Sequence, residues 1–116
     1  MKSVNICYME AAKISKAVKL YRAYEQIDGM ASDFAKSFEA TYQAATKIWL
    51  ENDDDGTSQK EFSLILPDER DDAGELCRAL KMYVRYENSF WRFNSVLAKD
   101  LRGCMVDLCD RILMQY

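Results

Sequence analysis

The stretch TKIWLENDDDGTSQKEFSLIL, residues 46–66, decides how the fold is read. Ile48 and Leu50 alternate with Lys47, Trp49 and Glu51, and Phe62, Leu64 and Leu66 alternate with Glu61, Ser63 and Ile65. Alternation puts one set of side chains on one face of a strand. The polar run between them contains Gly56, so the stretch predicts a two-stranded β-hairpin at about 46–66. In that hairpin Trp49 projects outward between Lys47 and Glu51 and offers a contact surface. The competing reading carries a preceding helix on to Glu51, and Trp49 then joins Phe38, Tyr42 and Ala45 on one core-facing side.

Upstream, Val4, Cys7, Ala11, Ile14, Val18 and Tyr21 recur three and four residues apart, the seam of an amphipathic helix. With Gly29 as its stop this helix has roughly 25 residues and a length of about 37 Å. Ser32 is a suitable N-cap for a shorter helix over about Asp33 to Ala44, which carries Phe34, Phe38 and Tyr42. Downstream, Pro67 closes the second strand and Asp68 caps a further helix, with Glu69, Asp71 and Asp72 in the first turn where the helix dipole favours acid. Its seam runs Ala73, Leu76, Leu80, Tyr83, Phe90, Leu97, Leu101, Cys104 and Leu108. One helix from Asp68 to Gln115 would measure about 72 Å, too long for a compact chain of this size. A break near Gly103 and a kink at Asn94 and Ser95 are expected, with the last segment folding back as a C-terminal helix. The expectation is a mainly α (α+β) protein, its long helices packed as an antiparallel pair, within a single domain over 1–116.

The totals narrow the function. In 116 residues, hydrophobic types make up 49 % and charged types 30 %, which suits a soluble globular domain rather than a disordered chain. Net charge is −3, so nucleic acid is not an expected partner, and no apolar run marks an export signal or membrane span. A cytoplasmic location follows as the expectation. Cys7, Cys77, Cys104 and Cys109 then read as reduced, mostly buried thiols. Cys104 and Cys109 point about 140° apart on a helix and do not converge on a metal. Asp53, Asp54 and Asp55 lack the spacing of an EF-hand. There is no His, no nucleophile motif and no glycine-rich phosphate cradle, so neither an enzyme nor a cofactor is expected.

What remains is contact chemistry. Arg78, Arg85, Arg92 and Lys99 stand seven residues apart and form one nearly straight row along a helix. As the outermost heptad position the row reads first as a solvated face. Its functional reading is a contact for an acidic protein, with a phosphate backbone as the alternative. Trp91 lies in the same stretch beside Phe90 and Phe93, and neighbours about 100° apart cannot all enter one core. Arg78, Arg85, Arg92, Lys99, Trp91 and Trp49 are therefore the candidate partner-binding residues. The expectation is a non-catalytic module that binds another protein, of the kind found among small inhibitors, immunity proteins and phage-type accessory proteins. A homodimer through the long helices or a sheet edge is also expected. The competing classes are a nucleic-acid-binding accessory protein and a structural subunit of a homo-oligomer.

Overall fold

The computed structural model describes residues 2–27, 39–52, 60–90 and 95–116. Along the chain these form strand β1 (Ser3–Ile6), helix α1 (Tyr8–Ile27), helix α2 (Glu39–Glu51), strand β2 (Phe62–Ile65), helix α3 (Arg70–Phe90) and helix α4 (Ser95–Leu113). The protein is mainly helical with one two-stranded antiparallel sheet, as the periodicity predicts.

The sheet is not a hairpin. Residues 46–51 belong to α2, and β2 pairs with the N-terminal strand in the register Ser3↔Ile65, Val4↔Leu64, Asn5↔Ser63 and Ile6↔Phe62. The Leu66 amide donates to the Lys2 carbonyl at 2.9 Å, continuing that ladder by one pair. Val4, Ile6, Leu64 and Leu66 are buried on one face while Ser3, Asn5 and Ser63 are exposed on the other. Both outer edges meet side chains. The Thr41 hydroxyl donates to the Ile65 carbonyl at 2.8 Å, and Arg111 Nη1 donates to the Asn5 carbonyl at 2.8 Å. A pair of short strands is marginal by itself, and here helices above and at both edges complete it.

Helix α1 starts one residue after Cys7. The Cys7 amide donates to Glu10 Oε1 at 2.9 Å, the returning half of a capping box. Ala11, Ile14 and Val18 are fully buried, as the seam requires. Its cations rest on aromatic rings of the neighbouring helices: Lys16 Nζ lies 5.3 Å from the Trp49 ring centroid, the Arg22 guanidinium 4.6 Å from that of Tyr42, and Lys13 Nζ 5.7 Å from that of Tyr83. Between α1 and α2 the Ser15 and Thr46 hydroxyls share a hydrogen bond of 2.8 Å, which satisfies the buried Ser15. Tyr21 near the end of α1 donates to Glu75 near the start of α3 at 2.8 Å, whereas Lys13 meets Tyr83 farther along, so these two long helices run antiparallel.

Helix α3 buries Ala73, Leu76, Leu80 and Tyr83, the expected stripe. Asp71 and Asp72 occupy its first turn. Gly103 does not break the chain: it lies inside α4, in open space with nothing near the position of a Cβ. An exposed glycine weakens a helix by about 1 kcal/mol, which the burial of Met105, Leu108 and Ile112 on the same helix outweighs. Helix α3 ends instead at Phe90 and α4 begins at Ser95, while Asn94, where a kink is expected, lies outside the described residues. The tail is tied to the sheet end. Lys2 Nζ donates to the Gln115 carbonyl at 3.0 Å and sits over the Tyr116 ring, and the Tyr116 hydroxyl donates to the Pro67 carbonyl.

Candidate functional site

The antiparallel packing of α3 on α4 places Cys77 opposite Cys109. Each sulfur lies 3.9 Å from the other residue's carbonyl oxygen. Carried one turn on, the same register brings Lys81, Val84 and Arg85 of α3 beside Arg102, Met105 and Val106 of α4, around a depression of about 300 Å³. Met105 and Val84 are buried and form its floor, while Val106 is 49 % exposed at its rim. Lys81 and Arg85 are one helical turn apart on one wall and Arg102 is on the other. None of the three takes part in an ion pair among the described residues. The cluster is thus an apolar patch rimmed by three cations on a chain whose net charge is −3.

The residues singled out in the sequence fall in different places. Arg85 is part of this cluster. Arg78 is on the same exposed row, its side chain 73 % exposed, with Nη1 3.3 Å from Glu75 Oε1. It borders a second depression of about 520 Å³ with Arg70, Asp71, Asp72, Gly74, Glu75 and Leu113, where charges of both signs mingle at the helix start. Arg92 and Trp91 lie outside the described residues, and Lys99 is within α4 with its side chain outside them. Trp49 is half-buried on α2 beneath Lys16, so the outward position it would take on a strand is corrected. Lys81 and Arg102 carried no signal of their own. Arg102 meets Arg85 only once one helix is seen to end at Phe90 and the next to begin at Ser95.

The groups with displaced protonation are core groups. A hydrogen bond that the Cys77 thiol donates towards the Cys109 sulfur, together with burial, pushes Cys77 up, and the same bond draws Cys109 down. Burial, then the Glu87 carboxylate, push the Tyr83 hydroxyl up from its ordinary value of 10.0. Cys77, Cys109 and Tyr83 are all nearly inaccessible. Their perturbation reflects packing in the interior rather than a nucleophile presented to a substrate. Cys104 is the exposed thiol, and among the described residues no group of His, Cys, Asp and Glu is placed to hold a metal ion. No described helix is long and apolar enough to cross a membrane.

Comparison with known proteins gives no likeness to build on: no protein family, no curated protein and no solved structure matches the chain.

Proposed function

We propose that the protein is a non-catalytic interaction module that binds another protein and modulates it, with the α3–α4 groove as its contact face. The supporting observation is the conjunction at one place of Lys81, Arg85 and Arg102, without ion-pair partners among the described residues, and the partly exposed Val106 over Met105. Arginine and methionine are enriched in the centres of protein interfaces, and an apolar floor does not serve a phosphate backbone. The small inhibitor, immunity and phage-type accessory classes all fit such a module.

The test is affinity capture from the native lysate, with and without nuclease, using the unmodified protein and an Arg85→Glu/Arg102→Glu variant side by side. Capture of one protein that survives nuclease and is lost with the variant supports the reading. Capture that collapses under nuclease favours nucleic acid. Capture equal for both proteins removes the groove as the contact face. Recovery of the chain alone, with a stable oligomer in solution, favours the structural subunit.

A further inference from the structure

We propose that the α3–α4 groove recognises an acidic protein segment whose central apolar side chain seats on Val84, Met105 and Val106 while flanking carboxylates meet Lys81 and Arg85 on one side and Arg102 on the other. This deepens the interaction reading and rests on it. The cations sit on both walls, so a ligand with charge at one end only would leave at least one unmatched. The volume of about 300 Å³ is at the lower end of small-molecule sites, which run from roughly 300 to 1,000 Å³, and accommodates one or two side chains. The apolar floor requires an apolar anchor, because a purely anionic chain would desolvate Val84 and Met105 without filling the space above them.

Charge complementarity sets the sign of the partner. Asp107 is held by Arg111, and Asp110, one turn beyond Val106, is the next described carboxylate along α4. Neither lines the depression, and the charged residues that do so among those described, Lys81, Arg85 and Arg102, are all positive. A short acidic segment approaching it is attracted over a Debye length of about 8 Å at physiological salt, while the net charge of −3 turns away acidic surfaces elsewhere.

The experiment is a selection of random twelve-residue peptides displayed on phage, on the full chain, with counter-selection on folded Arg85→Glu/Arg102→Glu protein. Recovered peptides are then titrated by fluorescence anisotropy. The expected outcome is enrichment of carboxylates on both sides of a bulky apolar residue, with affinity at least tenfold weaker for the double variant. Val106→Glu, at an exposed position, should weaken binding similarly with an unchanged circular dichroism spectrum. Peptides without acidic bias, peptides indifferent to the charge reversals, or the absence of any binder would overturn the inference. So would a single-stranded oligonucleotide that displaces the recovered peptides. The lysate capture decides the broader reading independently: a protein caught through Arg85 and Arg102 keeps that reading in place even where acidic peptides fail.

Discussion

Replacing Arg111 with Met tests how the sheet, α1 and α4 are joined. The guanidinium donates from Nη1 to the Asn5 carbonyl at 2.8 Å, from Nε to Asp107 at 2.9 Å, and from Nη2 to Glu10. Glu10, only 16 % exposed at its side chain, also caps α1 through the Cys7 amide. Methionine keeps most of the aliphatic stem and removes the charge. The pair with exposed Asp107 contributes about 0.3–0.5 kcal/mol. The bonds to Glu10 and Asn5 contribute more, each about 1 kcal/mol after allowance for a guanidinium a third exposed. The expected destabilisation is about 2 kcal/mol, and with an unfolding entropy of about 2.1 cal/mol/K per residue the midpoint should fall by about 8 °C. A double-mutant cycle with Glu10→Gln, whose amide oxygen can still cap Cys7, should return a coupling of about 1 kcal/mol. Partial burial works against the Arg111 charge, but Glu10 and Asp107 outweigh it and the guanidinium pKa is raised above its ordinary, already strongly basic value. Its contribution is therefore fully present throughout the neutral range, and the effect of Arg111→Met should be flat between about pH 6 and 9. Thermal and urea unfolding followed by circular dichroism measure all of this. A midpoint change below about 2 °C, or additive single variants, would refute the account of Arg111 as the joint.

Further outcomes follow from single residues. The Tyr83 hydroxyl is buried and its contact with the Glu87 carboxylate falls short of ordinary hydrogen-bond geometry, so Tyr83→Phe should be neutral or stabilising by up to about 1 kcal/mol, measured by urea denaturation. Since the folded state holds that proton above its ordinary 10.0, stability should fall as pH rises past about 10, less steeply in the Phe variant. Gly74→Ala and Gly103→Ala meet open space within helices, and each should stabilise by about 0.5–1 kcal/mol, additively, in the same assay. With a disulfide reagent at pH 8, Cys104 should react first and Cys7 more slowly, while Cys77 and Cys109 wait for unfolding; a Cys104→Ser variant should lack the fast phase.

The parts of the fold that were legible in the sequence are those where many turns repeat one pattern. The stripe Ala73, Leu76, Leu80 and Tyr83 spans enough of α3 that no strand reading competes with it. Short segments were ambiguous for a physical reason: two or three apolar residues satisfy either period. Val4, Cys7 and Ala11 fit a helical seam, yet Val4 is in a strand, and the discriminating residue is Ile6, buried although it lies off that seam. Ile48 and Leu50 alternate as in a strand, but Leu50 is exposed near the end of α2, so its apolar character follows from no burial. Of the candidate site, Arg85 was visible as part of a charged row. Its partner Arg102 was not, because pairing across two helices depends on where the turn falls, and a break at Gly103 would have put Arg102 elsewhere.

The pairing of Ser3 with Ile65 also bears on the order in which the protein folds. Helices α3 and α4 are neighbours in sequence, whereas β1 must find β2 across some sixty residues, and the entropy of closing a loop rises with its length. The α3–α4 unit should therefore form early and the sheet zip shut last. In folding kinetics Met105→Ala should slow folding, with a φ-value above about 0.5, while Val4→Ala should mainly speed unfolding. The N-terminal strand is then the last piece to lock, and the stretch whose release leaves the α3–α4 groove intact.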